Sequence, residues 1–182
     1  MWTPPKTWIN DEPLTAADLN AHLSDNLSFL AGLLSSFTLL RDEQPSSASG
    51  GSFTSGAWRT RTLNTFYGDP EGDISLNSNQ FTLQPGTYVI AAEAVAAEVN
   101  NHRLRLQDIT GNTTAAIGLN SYASAAHLAQ TTASVWARLT LIQPTSFELQ
   151  HLCQTSKSST GFGRGTGMGI EVYARVAIWR IA

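Results

Sequence analysis

One stretch constrains the fold more than any other: Phe81-Thr-Leu-Gln-Pro-Gly-Thr-Tyr88, running on into Val89-Ile-Ala-Ala-Glu-Ala-Val-Ala-Ala-Glu-Val99. Pro85-Gly86 is a turn pair in which Pro presets φ and Gly accepts positive φ, and it separates a short strand from a long one. By the two-residue period of a strand, Tyr88, Ile90, Ala92, Ala94 and Ala96 point one way. Val89, Ala91, Val95, Ala97 and Val99 point the other, and neither set is polar. An antiparallel strand ordinarily shows water one face, so this one needs cover from two directions. One cover is its own core. The other is either a second layer of the same sandwich or a partner chain, which the small alanines would let come close.

From Trp58 onward, strand-length segments alternate with turn signals: 58–63, 74–76, 80–83, the long strand, 103–110, 114–122, 134–142, 146–154 and 169–181. With no helical pattern between them, this spacing predicts an all-β sandwich, and among sandwiches the count fits a jelly roll. In the last segment Ile170, Val172, Ala174, Val176 and Ile178 form one apolar face. Glu171, Tyr173, Arg175, Ala177 and Trp179 form the other, an aromatic-plus-arginine mixture of the kind found in buried protein contacts. Tyr173, Arg175 and Trp179, with Ala94 and Ala96, are therefore the positions expected to face a partner chain.

The N-terminal part has a different organisation. Thr15 is a good N-cap, Asp18 can complete a capping box, and Leu14 can pack on Leu19 as a hydrophobic staple. Leu23, Leu27, Leu30, Leu34 and Phe37 follow at alternating spacings of four and three, with Asn20 as a polar position in the same register. This predicts a helix over 15–40 that either joins a three-chain bundle or lies on the β-domain; each seam leucine removed from water contributes about 1.5–3 kcal/mol. Residues 1–14 read as an extended arm broken by prolines. Its Trp2 and Trp8 either dock on another protein or fold back on the helix. A turn-rich connector over 44–56 carries Phe53, and the head is expected to occupy 41–182.

Charge and motif content narrow the function. A formal charge of -3 with a pI near 5.7 gives no electrostatic reason to expect nucleic acid. Only 14% of residues are charged, which suits a surface rich in Ser, Thr, Asn and Gln or one covered in an oligomer. The apolar window 27–40 is short and interrupted by Ser28, Gly32, Ser35 and Ser36, so no membrane insertion is expected. The start lacks the pattern of a secretory signal, which places synthesis in the cytoplasm. Cys153 is alone, so no internal disulfide forms.

His22, His102, His127 and His151 sit in no zinc-binding pattern. His151 and Cys153 share a strand face, more in keeping with a half-buried polar contact than with a nucleophile and its base. Gly161-Phe-Gly-Arg-Gly-Thr-Gly-Met-Gly169 matches no phosphate-binding loop. It is either a mobile tip in which Phe162 and Arg164 touch a ligand or a long hairpin loop. Asp69, Glu71 and Asp73 crowd one loop without a convincing partner acid, and no nucleophile elbow occurs, so no enzyme and no cofactor are expected.

Phe81–Tyr88 with its long strand, Phe147-Glu-Leu-Gln-His-Leu-Cys-Gln154 and Gly169-Ile-Glu-Val-Tyr-Ala-Arg-Val-Ala-Ile178 resemble the trimeric jelly-roll superfamily of complement globular heads and tumour-necrosis-factor-like domains. More narrowly they resemble the version at the ends of bacteriophage fibres and spikes. Trp8-Ile-Asn-Asp-Glu-Pro-Leu-Thr-Ala-Ala-Asp-Leu-Asn20 is similar to the opening of many phage structural proteins, where it precedes a virion-attached helix. The resemblance implies a ten-stranded jelly roll forming a homotrimer about a threefold axis. It also implies an N-terminal arm attached to other virion structural proteins, and an outward head available to a host-surface glycan or protein. A head-decoration protein without receptor role and a soluble carbohydrate-binding module are the alternatives. The calcium of complement heads is not carried over, since no Asp/Glu cluster stands at ligand spacing.

Overall fold

The long strand forms, and its neighbours explain both of its apolar faces. The computed structural model describes residues 3–68 and 72–181, with backbone alone for 33–35. Helix α1 (Ala16–Leu19), a π-wound turn (Asn20–Ser24) and helix α2 (Asp25–Ser35) precede twelve strands. These are β1 (Phe37–Gln44), β2 (Arg59–Thr60), β3 (Thr65–Gly68), β4 (Ile74–Asn77), β5 (Gln80–Leu83), β6 (Gly86–Ala97), β7 (Asn100–Asp108), β8 (Thr113–Ile117), β9 (Ser121–Ala123), β10 (Gln130–Leu141), β11 (Thr145–Cys153) and β12 (Glu171–Arg180). Sheet 1 runs β10-β6-β12-β1-β3; sheet 2 runs β4-β5-β11-β7-β8, with β2 also on β11 and β9 also on β7. The expected all-β jelly-roll sandwich with one N-terminal helical segment is thus the observed architecture. Strands as short as β2 and β9 raise the count above ten because two or three residues leave no periodicity to read.

Pro85-Gly86 does not close a hairpin. Strand β5 pairs with β4 and β11, whereas β6 pairs with β10 and β12, so the turn carries the chain from one sheet to the other. Between the sheets lie Leu40, Tyr88, Ile90, Ala92, Ala94, Val135, Val176 and Ile178 from sheet 1 against Phe81, Leu83, Leu104, Leu106, Phe147 and Leu149 from sheet 2. Phe81 and Phe147 stack at 5.8 Å. A second cluster at the far end joins Phe53, Ala96, Val99, Ala123 and Cys153, with Phe162 packed on it. Ala94 and Ala96 therefore face the protomer interior and not a partner. At Ala96 the room left by the small side chain is taken by the rings of the second cluster.

Tyr173 is also corrected. Asp42 of β1 pairs with Ala174 and Glu43 with Val172, so Tyr173 is skipped and β12 carries a bulge there. The bulge reverses the in-out alternation: Ala174, Val176 and Ile178 stay in the core, but before the bulge Tyr173 and Glu171 turn inward and Val172 outward. Tyr173 is 2% exposed, and its hydroxyl donates to the Ala48 carbonyl. Its ring presses on Gly163, where a Cβ would sit 2.1 Å from the ring and φ is +141°; no other residue suits that contact.

Thr15 caps the helix as expected, its Oγ1 accepting from the Asp18 amide at 3.1 Å. The helix ends at Ser35, however, and Phe37 opens β1 with its ring 5.2 Å from Trp179. Phe37 is a strand residue of the head and not a helix seam position, so the head begins at 37. Thr38 and Leu40 point to the core while Phe37 and Leu39 point away; a two-residue period here coincided with the last step of the leucine spacing.

One buried cation ties the layers together. Arg61, which follows β2, is fully buried and donates to the carbonyls of Val95 at 3.3 Å, Phe162 at 3.1 Å and Tyr173 at 3.0 Å. Its guanidinium lies 4.2 Å above the Phe162 ring and 3.8 Å from the Asp42 carboxylate. Burial lowers its pKa to about 10, with Asp42 opposing the shift, so it stays charged at neutral pH. Arg61→Met removes one member of a buried ion pair and orphans three carbonyls, and is expected to cost about 3–5 kcal/mol in chemical denaturation. A loss below about 1 kcal/mol would show that the guanidinium is not the tie.

Candidate assembly surface

The outer face of sheet 1 follows from its register. Trp136 of β10 stands opposite Ala91, Ala91 opposite Ala177, Ala177 opposite Leu39, and Leu39 opposite Tyr67. The adjacent row is Arg138, Val89, Trp179 and Phe37. Both rows lie on the side away from the core, because Ile90, Ala92, Val135, Val176, Ile178 and Leu40 between them are the buried ones. Trp136 is 66% exposed and Tyr67 49%. The first of these rows is apolar from edge strand to edge strand, and a band of this breadth is the kind of surface that protein contacts cover. One row further on, Arg175 pairs with Glu93 at 2.6 Å, giving the band a charged border.

Of the positions expected to meet a partner, Trp179 and Arg175 stand on this face; Tyr173, Ala94 and Ala96 do not. Trp136, Leu39, Tyr67 and Val89 were missed. Trp136 had a readable signal: within Gln130–Leu141 it shares its phase with Thr132, Ser134, Arg138 and Thr140, where a tryptophan has no business unless the face is covered.

The helix displays a second apolar surface. Leu19, Leu23, Leu27 and Leu30 are exposed, Leu27 at 65%. The Leu34 side chain and Trp2 lie outside the described residues. The arm folds back along the helix: Thr3 and the Asn26 side chain exchange two hydrogen bonds of 2.9 Å, and Lys6 pairs with Glu12 at 2.6 Å and Asp18 at 3.2 Å. Trp8 sits 4.5 Å beneath the Lys6 ammonium and edge-on to His22, with part of its ring in the open. Among the described residues no helix is long and apolar enough to cross a membrane.

The glycine-rich loop is fastened rather than free. The Glu171 carboxylate, turned inward by the bulge, accepts from the backbone amides of Ser47, Thr166 and Gly167 at 2.7–3.0 Å. Those bonds, that from Gly167 foremost, hold its pKa below the ordinary carboxylate range. Phe162 stacks on Phe53 at 4.3 Å between the sheets, so it cannot be a ligand-contacting tip. Arg164 is committed to Glu98 at 2.6 Å, which Lys157 also pairs at 3.0 Å.

The buried histidines and the cysteine are held in their neutral forms. His102 Nδ1 and His151 Nε2 are 3.0 Å apart, and His102 Nε2 is 2.8 Å from Thr131 Oγ1. Burial, reinforced by Arg61, lowers His102 to about 4 and holds His151 well below the ordinary range. Burial pushes the Cys153 thiol up to about 11, so it is no thiolate at neutral pH. Among the described residues no group of three metal-capable side chains comes together.

No family model matches the chain, and neither does any curated protein. Among solved structures, the Eiger TNF of S. frugiperda superposes with a TM-score of 0.51 at 9% identity, covering 80% of this chain and 92% of that one. The fold is C1q/TNF-like. The globular domain of zebrafish complement 1qA (TM-score 0.48, 20% identity, 80% and 96% covered) and the PRD1 vertex protein P5 (0.46, 14%, 81% and 98%) are also similar. C1q/TNF-like domains generally form trimers, and the fold is typically non-enzymatic.

The histidine pair gives this C1q/TNF-like domain an acid-sensitive core. A base whose folded pKa is lowered binds fewer protons folded than unfolded, so stability is full above about pH 6.5 and falls toward about pH 4, by about 3 kcal/mol for His102. Asp42, raised by burial, acts in the opposite sense, and the depressed Glu171 and Glu98 contribute only below the ordinary carboxylate range. Guanidinium unfolding between about pH 7 and about pH 4.5 should show a falling midpoint, and His102→Asn should flatten that slope. An unchanged slope in the variant would remove His102 as its source.

Proposed function

We propose that the protein is a structural component of a tailed-bacteriophage virion, a short trimeric fibre or spike. In this reading three heads meet through the outer face of sheet 1. Three helices meet through Leu19, Leu23, Leu27 and Leu30, and the arm with Trp8 fastens the trimer to other virion proteins. Sheet 2 then looks outward, toward the host surface. The observation that carries the proposal is the adjacency of two uncovered apolar surfaces: only Ser36 separates α2 from β1, and its hydroxyl is bonded to the Arg180 carbonyl at 2.9 Å. One threefold axis running along the helix and past sheet 1 covers both surfaces. The phage setting is supported by the resemblance of residues 8–20 to the openings of phage structural proteins.

Light scattering on the purified protein is expected to give three times the 19.6 kDa chain mass. Trp136→Asp, on an exposed position, is expected to shift that species toward monomer while keeping the far-ultraviolet β signature. A wild-type monomer at micromolar concentration, or an intact Trp136→Asp trimer, would remove this face as the interface. Antibody labelling of whole particles then separates a tail fibre from a head decoration.

A further inference from the structure

Sheet 2 carries an open pocket of about 500 Å³, a size typical of small-molecule sites. It lies where the ends of β7 and β11 meet β9, and its wall includes Asn101, Arg103, Asn120, Ser121, Leu152 and Gln154. No carboxylate lines it. Arg103 is half-buried there, and among the described residues its guanidinium has no ion pair and no hydrogen bond. Arg164, Arg175 and Arg180, by contrast, each pair with a carboxylate. A half-buried cation without an anion keeps its five donors available to a ligand.

The other groups define the ligand further. The Asn101 side-chain NH₂ donates to Gln154 Oε1 at 2.7 Å, which leaves the Asn101 amide oxygen and the Gln154 NH₂, both on residues lining the pocket, available to a ligand. Asn120 adds a third amide in the same wall. Tyr122 pairs with Asn101 across β7 and β9, which puts its ring on the same face of sheet 2 as Asn101, beside the pocket residues Asn120 and Ser121, and it is 56% exposed. A planar fork, neutral amides with both polarities and an exposed aromatic ring on the same sheet face are matched by a ring that is hydroxylated at its edge, apolar on its flat face and negatively charged at one substituent.

The geometry points to a binding site for an acidic saccharide, in which Arg103 takes the sugar carboxylate, the Asn101–Gln154 pair and Asn120 take hydroxyls, and Tyr122 stacks on the ring. A phosphate is served less well, because a single arginine without clustered backbone amides supplies only part of what that dianion draws. The site deepens the attachment reading above and rests on it only in that sheet 2 faces away from the threefold axis. Its walls are complete within one protomer, so ligand binding and assembly are independent readouts.

The test is a ¹⁵N-amide titration of the full chain with tri-galacturonate, its neutral methyl ester, glycerol phosphate and an acetylated glutamate peptide. Tri-galacturonate is expected to shift amides around Asn101, Tyr122 and Gln154 with a Kd of about 1 mM or tighter. The ester, Arg103→Gln and Tyr122→Ala are each expected to weaken binding about tenfold or more. Arg138→Gln on the opposite sheet is expected to leave it unchanged. Both pocket changes are on accessible positions, and an unaltered melting temperature shows that the fold is kept. Equal binding of the ester, equal binding by the Arg103 and Tyr122 variants, tighter binding of the phosphate or the peptide, or no response to tri-galacturonate would each overturn the proposal. A monomer that still binds removes the trimer and leaves the pocket; a trimer that does not bind does the reverse.

Discussion

The interior of this protein is arranged around a positive charge that cannot leave. Arg61 enters from the sheet 2 side and reaches carbonyls that belong to sheet 1 and the glycine-rich loop. Those carbonyls are free because the ladders stop short of them. The β6–β12 ladder begins at Ala94 and Ala174, and the β12 bulge takes Tyr173 out of register with β1. A buried guanidinium costs several kcal/mol in desolvation and is tolerated only when charge and hydrogen bonds compensate. Here the compensation comes mostly from backbone, which makes the position of each strand end a condition for holding the charge.

The same cation dictates the state of its neighbours. With Arg61 charged, His102 and His151 remain neutral and bond each other, and Asp42 is the group that balances it. The loop with the most glycines is locked on one side by this guanidinium at Phe162 and on the other by Glu171. Glycine there serves close packing rather than motion. On the outside, the two sheets divide their roles. Sheet 1 shows Trp136, Val89, Trp179, Leu39 and Phe37, whereas sheet 2 shows amides, arginines and the Glu148 carboxylate, which accepts from Thr60, Gln80 and Gln150. One outer face is largely apolar and the other largely polar.

Much of this was legible in the chain and some was not, for physical reasons. Regular alternation made β6, β11 and most of β12 readable, and Thr15 announced the helix start. The bulge at Tyr173 was invisible because apolar residues on both sides of β12 mask a change of phase. Phe37 was misplaced because a strand that follows a leucine-spaced helix after one residue continues the spacing by coincidence. For the candidate surface, Trp179 and Arg175 came from the two-sided character of β12, while Tyr67 sits in a strand of four residues that no period reveals. Arg61 had no local sign at all: in Arg59-Thr60-Arg61-Thr62 nothing distinguishes the second arginine from the first, and it becomes a buried tie only when three distant carbonyls converge on it.

The single residue between α2 and β1 also has a mechanical meaning. Strand β1 lies between β12, to which it is hydrogen-bonded over its whole length, and β3. Tension arriving from the helix along the strand axis meets these two ladders side by side, so their bonds share the load and yield together instead of parting one after another. A β-domain held through its first strand in this way resists a pull along that strand by shear of both ladders at once.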